Sequence, residues 1–389
     1  MTPEIQLLVN AAITLAVAGV ISFAVTPLVR RFAHTVGAID VPNDARRVHT
    51  RPIPRLGGLA IFIGFIFSYL LFGQLTESVR GILIGCVIMV AVGVIDDIVA
   101  LPWWAKFLGQ IGAAAIPVLH GVKVERFSNP LSFFLDSAEP YINLGAWSIP
   151  VTILWIVIIT NSVNYIDGLD GLAVGVSGIA SLSMLILAVV LGDPVAAILM
   201  AAVAGGCVGF IPYNFNPARL FMGDTGALFL GFMLSTVSVV GLFKLYAIIS
   251  FAVPFLILGL PIFDFCVSSI RRLARGKSPM SADRGHVHHK LIDMGFSQKQ
   301  AVAILYTMSA LLGLTAVVLT TTGEVRAILL LLVFVVAGAI NFKIISDRLN
   351  GKGIQNAATA ENDAEEPAVT EADTLPEPPE EVDTPTEEP

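Results

Sequence analysis

Apolar stretches alternate with short polar breaks along most of this chain. Each stretch approaches the roughly 20 residues that one membrane-spanning helix needs. Eleven are read, centred near residues 17, 65, 90, 112, 155, 181, 203, 234, 256, 311 and 333. The fourth is the least regular, because Lys106 and Gln110 lie near its start. The stretches run continuously, without the period-two alternation of a barrel strand, which argues against a transmembrane β-barrel. The pattern predicts an all-α polytopic integral membrane protein with about 11 transmembrane helices. No internal repeat supports an inverted-repeat transporter. The first stretch has Glu4 in place of a basic lead-in and is followed by Arg30 and Arg31. It reads as a retained span with its N-terminus outside.

Composition narrows the class further. Of 389 residues, 55% are apolar and 14% charged, against roughly 25% charged in an ordinary soluble domain. Mean hydropathy is +0.81. A soluble enzyme, a nucleic-acid binder and a disordered protein are excluded for the bulk of the chain. The formal charge of −7 hides two regions: residues 351–389 carry 12 acids and one base, while residues 1–350 carry 22 bases and 18 acids. The expected organisation is a transmembrane body over 1–350 and an acidic, proline-rich, disordered cytoplasmic tail over 351–389. With the N-terminus outside, 18 of the 23 Lys and Arg residues face the cytoplasm, as the positive-inside rule requires. An odd span number then puts the C-terminus there too. Cys86, Cys207 and Cys266 lack CxxC spacing and read as small apolar residues. The outward loop from about residue 121 to 148 is expected to hold a short hairpin or an interfacial helix.

Polar residues are costly near a membrane interior, so where they collect is informative. Asp96 and Asp97 end the third span, and Lys106 opens the fourth. Adjacent carboxylates repel, which a cation or use of one as a proton acceptor relieves; helix-end solvation explains the group equally well. In NSVNYIDGLDG, helical spacing puts Asn161, Asn164 and Asp167 on one face, and Gly168 and Gly171 let Asp170 turn back toward it. Such oxygen donors suit a hard cation. In the run from Asn214 to Asp224, the acid sits at a helix start, where a cap is the simpler reading. The 267–300 segment gathers seven bases with His286, His288 and His289. It suits phosphate better than metal, because no Cys assists. The stretch from His49 to Gly58 combines stiffening prolines with glycines that allow close backbone approach. Asp264 is a buried acid whose partner the sequence does not identify. Together, acids, amides and a basic segment on one membrane face are the parts for phosphoryl transfer.

The runs NSVNYIDGLDGLA and MGDTGALFLGF, the Asp96-Asp97 pair with Lys106, and SADRGHVHHKL resemble the polyprenyl-phosphate N-acetylhexosamine-1-phosphate transferases. HVHH and RPIPRLGG are similar to the branch that uses UDP-N-acetylglucosamine and initiates cell-envelope glycans such as teichoic acid or lipopolysaccharide O-antigen. The resemblance implies Mg²⁺, with Mn²⁺ as a substitute, and transfer of N-acetylglucosamine-1-phosphate to undecaprenyl phosphate with release of UMP. It implies metal binding by Asp224 and Asp167, and lipid-phosphate handling by Asp96 or Asp97 with Lys106. It further implies uridine or metal-shell contacts by Asn164 and Asp170. Sugar-nucleotide binding would fall to Asn214, Arg284, His286, His288 and His289. The expected setting is the bacterial cytoplasmic membrane, with the site on its cytoplasmic face and a homodimer kept as an assembly to test. Direct attack by the lipid phosphate is favoured over a covalent aspartyl intermediate. The alternatives are the phospho-N-acetylmuramoyl-pentapeptide transferases, which usually carry three consecutive histidines where Val287 interrupts here, and a secondary transporter.

Overall fold

The computed structural model describes residues 2–42, 51–129, 139, 141–242, 249–274, 276 and 286–321. Ten of the eleven predicted centres fall inside described helices; the eleventh, near 333, and the acidic tail lie outside the described residues. In chain order the helices are α1 (Pro3–Thr35), α2 (Gly58–Phe72), α3 (Glu77–Val99), α4 (Trp103–Leu119), α5 (Ser148–Ile166) and α6 (Leu172–Val190). They continue with α7 (Pro194–Asn214), α8 (Gly223–Val237), α9 (Ile249–Ile257), α10 (Gly259–Ala274), α11 (Val287–Asp293) and α12 (Gln298–Thr320). Seven described helices are long and apolar enough to cross a membrane, and α2 is a shorter apolar one. The chain is a multi-pass membrane protein.

Local sequence explains most boundaries. Thr2 caps α1 and Thr76 caps α3, each through its hydroxyl. Asp193 caps α7, with Pro194 in the first turn where no donor is needed. A reciprocal Ser297–Gln300 capping box opens α12. The stretch centred at 256 is two helices, α9 and α10. Pro254 interrupts the first, and Pro261, lacking an N–H, fits only the opening turn of the second.

The bundle is polar-tolerant inside and apolar outside. Val20, Phe67, Leu71, Leu119, Leu154 and Ile270 are exposed, as lipid contact requires. Small residues fill the seams: Ala11 and Ala18 of α1 are buried, as are Ala201 and Ala204 of α7, which packs against it. Lys106 and Gln110 disturbed the fourth apolar stretch because they point inward: Gln110 is buried.

Among the described residues, two antiparallel ribbons depart from the all-α expectation. One pairs β1 (Ile39–Asp40) with β2 (Ile53–Pro54); the other pairs β3 (Arg126–Ser128) with β4 (Tyr141–Asn143). The second is the hairpin expected in the 121–148 loop, and a 3₁₀ turn at Gly145–Trp147 follows it.

The first ribbon leads into a close backbone contact. Gly57 and Gly58 donate their N–H groups to Phe221 and Met222 carbonyls at 2.9 Å. A Cβ on Gly58 would lie 2.1 Å from the Gly226 nitrogen of α8. Gly58→Ala is therefore expected to force two backbones apart and cost about 1–3 kcal/mol. A thermal melt of purified protein in detergent checks this, and an unchanged midpoint would refute the close-contact reading.

Candidate functional site

The ends of α1, α3, α5 and α7 and the starts of α8 and α12 gather at one end of the bundle around a cavity of about 960 Å³. Its acidic residues are Asp40, Asp97, Asp167, Asp170 and Asp224; its basic ones include Arg30, His34, Arg51, Arg55, Arg219 and His289. Segments separated by more than 200 residues in sequence thus meet in one place.

Asp224 is the centre of the acidic side. Its Oδ1 accepts from Lys106 Nζ at 2.9 Å and from the Asn164 amide. Lys106 also contacts Asp96 Oδ2 at 2.8 Å, so one ammonium bridges two carboxylates. Asp96 Oδ1 accepts from the Leu101 N–H at 2.7 Å, which fixes the α3–α4 turn.

Asp97 has a different geometry. Its Oδ1 accepts from the Asp224 N–H at 3.0 Å. Its Oδ2 accepts from the Thr225 N–H at 2.9 Å and the Thr225 hydroxyl at 2.6 Å. No local side chain caps α8; a carboxylate 127 residues away does so, as the helix dipole favours. Arg55 lies behind it, donating from Nε to the Asp97 carbonyl at 3.1 Å.

The NSVNYIDGLDG segment divides its polar residues. Asn161 does not share the role of Asn164: it exchanges amide hydrogen bonds with Gln110 of α4, at 2.6 and 3.4 Å, inside the bundle. Periodicity fixed the face but not which neighbour lay across it. The half-buried Asp167 ends α5 and faces the cavity. Burial, then the Asp224, Asp97 and Asp170 carboxylates, push its pKa up to about 8. Asp170 Oδ2 accepts from the Asn216 amide and the Ala218 N–H, both at 3.0 Å. Asn214, also in the cavity wall, accepts from the Gly171 N–H at 3.1 Å and donates to the Leu220 carbonyl at 3.0 Å. Both residues brace the loops between α5–α6 and α7–α8.

The histidines also separate. His289 lines the cavity. The buried His288 ring lies against Gly168, whose added Cβ would come within 2.2 Å of His288 Nε2. Burial first, then His289 and His286, push the His288 pKa down to about 3, so it is neutral at physiological pH. His286 is buried beside Asp264, the partner that the sequence left open for that acid. Arg284 lies outside the described residues.

Sequence reasoning missed Arg30 and His34 as site residues, reading Arg30 only as a topology signal. Their spacing of four residues, which puts both on one face of α1, was the available clue.

The donor set fits a divalent cation. Among the described residues, no three His, Cys, Asp or Glu side chains form a closed metal cluster. Mg²⁺ does not need one: it keeps water and takes one or two carboxylates together with substrate phosphates. Asp224 and Asp167 supply such oxygens, and the mutual repulsion around Asp167 is what a cation there would relieve.

Acidic and basic side chains lining one cavity at the end of a bundle of apolar helices suit a membrane enzyme that handles phosphorylated substrates. Comparison with known proteins agrees. The model described as glycosyl transferase family 4 matches residues 79–242. A probable undecaprenyl-phosphate N-acetylglucosaminyl 1-phosphate transferase of Bacillus subtilis is 42% identical over 297 residues, covering 76% of this chain and 81% of that protein. The decaprenyl-phosphate N-acetylglucosaminephosphotransferase of Mycobacterium tuberculosis is 34% identical over 324 residues, covering 74% and 77%. A phospho-N-acetylmuramoyl-pentapeptide-transferase of Desulforudis audaxviator is 32% identical over 333 residues, covering 79% and 96%. The chain belongs to glycosyl transferase family 4, and it is a glycosyl-1-phosphate transferase of the polyprenyl-phosphate type.

Proposed function

We propose that the protein transfers N-acetylglucosamine-1-phosphate from UDP-N-acetylglucosamine to undecaprenyl phosphate, giving undecaprenyl-diphospho-N-acetylglucosamine and UMP. The observation that carries this reading is the convergence of Asp97, Asp167 and Asp224 with Arg51, Arg219 and His289 on one cavity at one end of a membrane bundle. Higher identity to the N-acetylglucosaminyl enzyme than to the muramoyl-pentapeptide enzyme, 42% against 32%, supports the choice of sugar. The placement of most Lys and Arg residues supports a cytoplasmic site with the N-terminus outside.

In this reading an oxygen of the lipid phosphate attacks the sugar-bearing phosphorus of the nucleotide. The bond from that phosphorus to the bridging oxygen breaks, and UMP leaves with the electron pair. The nucleophile is already anionic, so alignment and charge neutralisation dominate. Asp224 and Asp167 would hold Mg²⁺, with Mn²⁺ as a substitute, and the ion would offset charge on the diphosphate. Lys106 and Asn164 fix the Asp224 carboxylate. Asp97 fixes the backbone on which Asp224 rides. Arg51, Arg219 and His289 face the phosphates.

A substrate panel tests the proposal: UDP-N-acetylglucosamine, UDP-N-acetylgalactosamine and the muramoyl-pentapeptide nucleotide, each with undecaprenyl phosphate and Mg²⁺. The expected result is UMP release chiefly from the first. Release chiefly from the third would move the protein to the peptidoglycan branch. No UMP from any, with substrate flux in proteoliposomes, would favour a transporter.

A further inference from the structure

Asp264 lies in α10, a helix that contributes no side chain to the cavity lining. It is nonetheless a buried acid, 2% exposed. Its Oδ2 is 2.7 Å from His286 Nδ1, and its Oδ1 accepts from the Val287 N–H at 2.8 Å. Val287 is the first residue of α11, so the carboxylate caps the helix that carries His288 and His289. On the other side of the ring, Arg272 Nη2 lies 3.1 Å from His286 Nε2. A guanidinium only donates. Nε2 must therefore accept and Nδ1 must carry the hydrogen that reaches Asp264. Both ring nitrogens of His286 are then engaged inside the protein, and His289 is the histidine of the group left facing the cavity. His288 fills the space over Gly168, next to Asp167.

We propose that Asp264 is a positioning residue: through His286 and the Val287 N–H it sets the orientation of the His286–His289 segment, and thereby the donor-nucleotide side of the cavity. This rests on the transferase reading above. The pairing follows the general logic in which a carboxylate fixes a histidine's tautomer and ring orientation. His286 acts here as a strut rather than as a ligand for substrate.

Steady-state kinetics on the purified full chain test this with four variants: Asp264→Asn, His286→Asn, His286→Ala and the double variant Asp264→Asn with His286→Ala. Removing the partner that orients a metal-bound histidine costs about 10–100-fold, and the same scale is taken for this pair. Asp264→Asn is expected to raise KM for UDP-N-acetylglucosamine by about that factor, leaving KM for the lipid phosphate unchanged; a general folding defect would move both. His286→Asn keeps an N–H where Nδ1–H stood and is expected to stay within a few-fold of wild type, whereas His286→Ala falls with Asp264→Asn. The double variant is expected to be no worse than His286→Ala, because one coupled device is removed once. Wild-type KM in Asp264→Asn, equal damage from His286→Asn and His286→Ala, or multiplying losses in the double variant would each overturn the proposal. A readout independent of turnover is ¹⁵N-histidine NMR. The Nδ1–H tautomer at His286 is expected in wild type and, because Arg272 still donates to Nε2, in Asp264→Asn as well, with the Nδ1–H signal shifted by loss of the carboxylate acceptor; an Nε2–H tautomer in wild type, or an Nδ1–H signal indifferent to Asp264→Asn, would overturn the assignment. Absence of UMP release by wild type, with the expected tautomer present, would count against the transferase reading alone.

Discussion

Asp224→Asn is expected to lower turnover by about 10²–10³-fold or more, the scale for deleting a preorganised electrostatic group, while the protein remains folded. The side chain faces the cavity and is 27% exposed. Its Oδ1 gathers Lys106 and Asn164, and in the proposed mechanism it anchors the cation that offsets diphosphate charge. The amide keeps the shape and one acceptor oxygen but loses the charge. Lys106 retains Asp96 at 2.8 Å, so no buried ammonium is left without a counter-ion. The check is a pair of measurements on one preparation: UMP release, and a melt in detergent. Near-wild-type turnover would remove Asp224 from the reacting centre.

Asp97→Asn is expected to fail in a second way, losing activity and stability together. Three donors from the start of α8 converge on this carboxylate, which is 1% exposed. An amide presents an N–H to at least one of them and removes the charge that the helix N-terminus favours. Hydrogen bonds to a buried charge are worth about 1.5–3 kcal/mol each, so a loss of at least about 2 kcal/mol is expected. Turnover should fall as well, because Asp224 sits on the backbone that Asp97 holds. The two aspartates are thus distinguishable although both variants are inactive: one melts like wild type and the other does not. An inactive Asp97→Asn with an unchanged melt would mean that Asp97 acts on the substrate itself.

That distinction could not be read from the sequence, and the reason is general to this molecule. Charges in a chain this apolar collect mostly at helix ends, so Asp97, Asp167 and Asp224 stood out in the sequence, and the structure brings the three onto one cavity. Periodicity also located ten helices, since each needs a continuous apolar stretch. What periodicity lacks is the identity of the neighbour across a helix pair. Asn161 was on the expected face, yet Gln110 of α4 occupies it. Asn214 was expected to bind the sugar nucleotide and Asp170 to contact uridine or the metal shell; both line the cavity, and both also hold loop backbone, which the sequence did not show. Asp264 had no visible partner because His286 lies 22 residues away, across a segment with no helical periodicity to relate them. Arg30 was hidden by its ordinary explanation as a positive-inside residue, and only packing reveals that the end of α1 forms a cavity wall.

The claim on which the account depends is that the cavity is one cytoplasmic compartment that takes the donor nucleotide. Pro52 lines it, is exposed and offers no polar side chain to a ligand, so a cysteine there reports on the space. Cys266 is exposed and would be replaced by Ser to remove background; Cys86 and Cys207 are buried. The measurement is labelling of Pro52→Cys by a membrane-impermeant maleimide in right-side-out and inverted vesicles, with and without UDP-N-acetylglucosamine and Mg²⁺. Labelling is expected in inverted vesicles alone, and to slow several-fold when the nucleotide is present. Labelling from the outer face, or a rate indifferent to nucleotide in protein that still releases UMP, would contradict it.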